Sequence, residues 1–185
     1  MSSTATPFGV RPVSHPSGTV RLDQLAGGVA SAYGTALYTN TPIKRHTDGT
    51  LIAVGTGADV TIGVFAGCEF TASSKRFVLP YWPAAQTYDA GTMIAYYTSD
   101  VNITYEAQAD GAVALTANGE SINLANTSQG SVYTGQSTQA LTATTTGATA
   151  GTYQIIGLAP YDDNAWGDTY TILRVKISSY QGVVA

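Results

Sequence analysis

Along residues 101–108 the apolar and polar positions alternate without a break: Val101, Ile103, Tyr105 and Ala107 against Asn102, Thr104, Glu106 and Gln108. A period of two belongs to a strand with one face on a core and the other in water, as in an antiparallel sheet. The same period recurs. Val60, Ile62, Val64, Ala66, Cys68 and Phe70 fall on one face of a longer strand. Thr171, Leu173, Val175 and Ile177 fall on one face of another, opposite Arg174 and Lys176. Shorter β-like runs occupy 33–37, 51–54, 76–81, 92–97 and 153–158. Asp48-Gly49 and Asp110-Gly111 mark turns, because glycine accepts the positive φ that tight hairpins need. Short strands at roughly ten-residue spacing, with no sustained helical period, predict an all-β fold, an antiparallel barrel or sandwich. At most one short helix is expected, in 116–126, where Ile122, Leu124 and Ala125 are spaced ambiguously.

Two segments depart from this pattern. Residues 1–30 carry Pro7, Pro12 and Pro16 with Gly9, Gly18, Gly27 and Gly28, and their apolar residues recur at no period. Each proline removes a backbone donor and biases its predecessor toward extended backbone. The segment reads as an extended N-terminal arm rather than a folded unit, with the β body in 31–185. Residues 127–151 are rich in Thr, Ser, Gly and Ala, and read as strand-and-loop or a long excursion.

Charge narrows the function classes. Charged residues make up 11% of the 185, less than half the common share of roughly 25%. Thr (27) and Ala (26) fill the space, and Lys occurs three times. Coiled coils need abundant Glu and Lys, and charged disorder needs a net charge far from the −4 found here. A pI near 4.8 argues against nucleic-acid binding. No apolar run reaches the length of a membrane span, and the N-terminus lacks the basic and apolar regions of a signal peptide, so a soluble product made in a reducing cytoplasm is expected.

The search for chemistry returns little. Gly55-Thr56-Gly57 lacks the further glycine and the lysine of a phosphate loop. Gly135-Gln136-Ser137 lacks the second glycine of a nucleophile elbow, and the two histidines, His15 and His46, sit in the arm and beside a hairpin turn. Asp162, Asp163, Asn164 and Asp168 offer hard oxygen ligands of the kind calcium takes, at no EF-hand spacing, and Asp and Asn are ordinary turn formers. Cys68 falls on an apolar face, as a buried structural thiol would. Neither a catalytic set, a cofactor nor a metal is expected. Aromatic pairs near turns stand out instead: Tyr81-Trp82, Tyr96-Tyr97, and Tyr161 with Trp166. Tyr and Trp favour interfaces because they join apolar area to a polar tip, though a barrel core uses them as well.

Several short stretches together resemble small structural proteins of tailed bacteriophages. They are Ala5-Thr-Pro-Phe-Gly-Val-Arg-Pro12, His15-Pro-Ser-Gly18, Gly63-Val-Phe-Ala-Gly-Cys-Glu69, Tyr81-Trp-Pro83, Gln108-Ala-Asp-Gly111 and Asp163-Asn-Ala-Trp-Gly-Asp168. They look like capsid decoration, or cement, proteins. That resemblance implies a β body with an arm, a virion location on the capsid exterior, the major capsid protein as partner, and a homo-oligomer, a trimer before a dimer. It implies no enzymatic activity. The residues expected at capsid or subunit contacts are Phe8, Arg11, Pro12, His15, Pro16, Arg21, Tyr81, Trp82, Tyr96, Tyr97, Tyr161 and Trp166. The competing expectation is a carbohydrate-binding β module that stacks sugars on Trp82, Trp166 and nearby tyrosines. A hydrolase on a β scaffold is the third.

Overall fold

The computed structural model describes residues 2–147 and 151–182. Among them are twelve strands and a single 3-10 turn, Leu115–Ala117, with no α-helix. In chain order the strands are β1 (Arg11–Ser14), β2 (Asp23–Ala26), β3 (Pro42–Arg45), β4 (Leu51–Ala53), β5 (Gly63–Ala72), β6 (Lys75–Leu79), β7 (Ile94–Tyr97), β8 (Thr104–Gln108), β9 (Ser121–Leu124), β10 (Leu141–Thr145), β11 (Tyr153–Leu158) and β12 (Ile172–Ile177). They form two antiparallel sheets. The first runs β1-β8-β12-β11-β9-β10; the second runs β2-β7-β5-β3-β4, with β6 pairing the far half of β5. The fold is therefore all-β, as the alternation predicts, and the ambiguous stretch at 116–126 becomes a 3-10 turn followed by β9.

Each sheet has its own apolar cluster. Val10, Tyr105, Ala107, Ile122, Leu141, Tyr153, Leu173 and Val175 meet on the first sheet. Val29, Leu37, Ile43, Phe65, Cys68, Phe70, Trp82 and Met93 meet on the second. Strand β5 serves both: Val64 packs in the first cluster and Phe65 in the second. A register shift between Phe65 and Gly67 then moves the inward side by one residue, so that Cys68 and Phe70 join Phe65 rather than Val64. A bulge of this kind rephases a strand without ending it. The single face expected for Val60 to Phe70 is thus split in two, and Val60 itself is exposed.

Residues 2–30 do not reach away from the body. Strand β1 lies along β8, with Arg11 opposite Glu106 and Pro12 opposite Tyr105, and β2 lies along β7, with Asp23 opposite Tyr97. Val10 is wholly buried in the first cluster. The segment is extended, as its prolines predict, but it supplies one edge strand to each sheet. Proline is tolerated on such an edge because the N–H it lacks would face outward. The polar side of β8 is covered by the same segment. Gln108 accepts from the Thr6 N–H at 2.8 Å and donates to the Thr4 carbonyl at 3.0 Å.

Candidate functional site

The N-terminal segment is fastened by a buried carboxylate. Glu106, its side chain 4% exposed, takes Arg11 Nη2 at 2.9 Å and Arg174 Nε at 3.2 Å. The Tyr161 hydroxyl donates to it at 2.7 Å. Arg11 also bonds Tyr161 and lies over the Phe8 ring, 4.9 Å from its centroid. Burial alone would raise the Glu106 pKa, but the hydrogen bonds from Tyr161, Arg11 and Arg174 outweigh it and hold the carboxyl below its ordinary value. Phe8, Arg11 and Tyr161 are thus drawn into one cluster whose centre, Glu106, was read from the alternation as a solvent-facing position.

A second contact joins the β1–β2 connection to the turn before β8. His15 Nε2 stands 3.0 Å from Asp100 Oδ2, and His15 Nδ1 is 2.7 Å from Ser17 Oγ. The Ser17 backbone N–H, which can only donate, reaches the same Nδ1 at 3.1 Å, while the Nε2–Asp100 approach lacks hydrogen-bond geometry. Serine, histidine and aspartate are in contact, yet nearby backbone donors are already used: Ser17 N–H on Nδ1, and Gly18 N–H on the His15 carbonyl at 2.8 Å. A nucleophile needs free donors aimed at a developing oxyanion. Here His15 and Ser17 close a turn, and Asp100 ties it to the connection before β8. Arg21 lines the small cavity beside them, about 310 Å³; Pro16 is exposed in the turn.

The acidic stretch is also committed to local bonding. Asp168 Oδ2 accepts from Ser2 Oγ and from the Ala165 N–H, both at 2.7 Å. Asn164 accepts from the Ile172 N–H at 2.9 Å and donates to the carbonyls of Ala159 and Ile172. Among the described residues no group of three His, Cys, Asp or Glu is placed to hold a metal ion.

The aromatics divide. Trp82 is fully buried in the second cluster, edge-on to Phe70 and Tyr88, and cannot serve as an exposed platform. Tyr97 is buried too, with its hydroxyl on Arg45. Trp166 is partly buried against the first cluster. Tyr96 is half-buried in β7, and Tyr81 stacks on Tyr38 with centroids 5.8 Å apart.

The prominent exposed apolar residues lie elsewhere. In the turn 131–135, Tyr133 is 97% exposed and Val132 53%. This projection is braced. Ser131 N–H donates to Gln136 O at 3.0 Å, Gly135 N–H to Ser131 O at 2.8 Å, and Thr39 N–H to Gly135 O at 2.9 Å. Gly135, at φ +69°, sits so close to the Pro80 ring that a Cβ there would come within 2.5 Å of it. Pro80 follows β6, whose Val78 is 67% exposed on a strand paired only along β5. Neither Tyr133 nor Val132 carries a periodic signal. Their one mark in the sequence is an aromatic–aliphatic pair within a Thr- and Ser-rich run. No family model matches the chain, and neither a curated protein nor a solved structure matches it.

Proposed function

We propose that this chain is a structural subunit that attaches to a protein shell, as a head decoration protein of a tailed bacteriophage attaches to the major capsid protein lattice. The observation that carries the reading is the braced, almost fully exposed Tyr133 at the tip of 131–135, with Val132 beside it and Val78 on the adjoining edge strand. An exposed tyrosine on an ordered turn loses little entropy when it docks, and aromatic anchors of this kind dominate interface energies. The low charge supports the same reading, since a surface that becomes covered has less need of Lys and Glu. So does the resemblance of the short motifs to cement proteins. The N-terminal segment is already engaged in both sheets, so the attachment role passes from the expected arm to this projection.

A homotrimer, with a dimer as second choice, fits this role because several weak contacts joined in one oligomer gain avidity. The test is co-sedimentation of the protein with shells assembled from the major capsid protein. Tyr133→Ser combined with Val132→Ser should abolish binding while leaving the melting temperature unchanged. Shell binding retained at full strength by that variant would sink the reading.

A further inference from the structure

We propose that a groove between the end of β3 and the C-terminal strand of chain after β12 is a binding site for a saccharide bearing one carboxylate, such as a uronic acid. The groove encloses about 640 Å³, within the usual range of roughly 300–1,000 Å³ for small-ligand sites. Arg45, His46, Thr47, Tyr97, Ser99 and Tyr180 are on its wall.

The charge in it is unspent. Arg11, Arg76 and Arg174 each hold a carboxylate, whereas Arg45 has none within ion-pair distance among the described residues. Its Nη2 donates to the Tyr97 hydroxyl at 2.8 Å, and its guanidinium stands 5.9 Å from the centre of that ring. Its remaining strong contact is a long one, Nη1 to the Gly49 carbonyl at 3.5 Å. A planar fork with donors left over matches a carboxylate in two parallel hydrogen bonds.

The site is also held in shape. The Gln181 side chain accepts from the Arg45 N–H at 2.6 Å and donates to the Arg45 carbonyl at 3.0 Å, so it pins the backbone of Arg45 as a paired strand would. Tyr180 is fixed through its hydroxyl, which donates to the Ser99 carbonyl at 2.8 Å, and the residue as a whole is 39% exposed. An exposed tyrosine ring offers an apolar plate to the C–H face of a sugar. His46 engages Asp48 through Nδ1 at 3.1 Å, which leaves Nε2 for a sugar hydroxyl, and the Thr47 hydroxyl is beside it.

One carboxylate suits the site better than a polyanion. Nearby Lys44 is committed to Asp59 at 2.7 Å, and the chain as a whole carries −4. A phosphate-rich or sulfated chain would meet a single Lys or Arg, Arg45, among the described residues that line the groove.

The test is a titration of the full-length protein, followed by amide NMR shifts, with glucuronate, glucose and acetate in separate arms. Glucuronate should shift the amides of 45–47, 97–99 and 180–182 saturably, and bind at least about tenfold more tightly than either glucose or acetate. Arg45→Gln and, separately, Tyr180→Ala should each weaken glucuronate binding about tenfold, with the rest of the spectrum unchanged to show that the fold is kept. An equal response to acetate would overturn the saccharide assignment. Undiminished binding by Arg45→Gln would overturn the carboxylate assignment. No saturable shift with glucuronate would overturn the site.

Discussion

The rings of Tyr105 and Tyr153 meet edge to face in the first cluster, centroids 6.5 Å apart and planes at 64°. Their hydroxyls fare differently. The Tyr105 hydroxyl is 3.2 Å from Thr98 Oγ1, whereas the buried Tyr153 hydroxyl meets no partner in good hydrogen-bond geometry among the described residues, Thr61 being the polar side chain that comes near it. Burial pushes both phenols up, Tyr105 to about 12 and Tyr153 well above its ordinary value. An unsatisfied buried hydroxyl costs about 1–3 kcal/mol, while a satisfied one contributes about 1 kcal/mol. Tyr153→Phe should therefore raise stability or leave it level, and Tyr105→Phe should lower it by about 1 kcal/mol. Urea denaturation of the two variants decides, and a greater loss for Tyr153→Phe would contradict the assignment.

Glu106 makes a sharper prediction. Replacing it with Gln removes the counter-charge of Arg11 and Arg174, whose side chains are 44% and 39% exposed and stay solvated, so the loss is that of the charge-assisted hydrogen bonds, about 1–2 kcal/mol. The pH dependence has a definite sign. The folded carboxyl lies below its ordinary 4.5, so its stabilisation is complete above pH 4.5 and is lost as pH falls through the folded value. The melting temperature of the native chain should drop below that pH. Glu106→Gln should show a shallower drop, and parallel curves would rule the carboxylate out as a source of acid sensitivity.

Removal of residues 2–14 should not release an intact body. It strips β1 from β8, empties the site of Val10 and unpairs Glu106 from Arg11. We expect a loss of about 3 kcal/mol or more, and association through the bared edge of β8. Calorimetry and light scattering on the truncated chain would show it. A monomer with the native melting temperature would mean that the segment is dispensable to the fold.

Cys68 should be inert while the chain is folded. It is 1% exposed, and burial raises its thiol to about 12, so almost no thiolate forms near neutrality. A chromogenic disulfide reagent at pH 8 should react only after urea is added. Immediate reaction in buffer would show that β5 opens locally.

The strand content was legible because it depends on a local period. Ile103, Tyr105 and Ala107 do face a core, and so do Leu173, Val175 and Ile177. The failures share one cause: a second layer that a single-strand pattern does not contain. Glu106 and Gln108 look solvated in their own strand, yet the N-terminal segment, distant in sequence, covers them. The bulge at Phe65–Gly67 reverses the inward side partway along β5, so a strict period of two misassigns Val64. Trp82 reads as an interface residue because it sits next to Pro83 in a turn-like stretch, but the chain returns there beneath Phe70 and Tyr88. Tyr133 was passed over for the opposite reason. Its one apolar neighbour in the sequence is Val132, and whether such a pair is buried or displayed depends on how its turn is braced.

The placement of β1 and β2 bears on the order in which the chain can assemble. Arg11 pairs with a residue 95 positions later, and Asp23 lies opposite Tyr97, so β1 and β2 have no strand partners until β7 and β8 have been made. Closing contacts so far apart carries a large loop entropy and slows folding relative to chains whose strands pair with their neighbours. The β3–β4 and β5–β6 hairpins pair neighbouring strands, so they can close before the N-terminal strands find their partners. In the interval Pro7, Pro12 and Pro16, each without a backbone N–H, make the waiting segment a poor template for strand pairing with other chains.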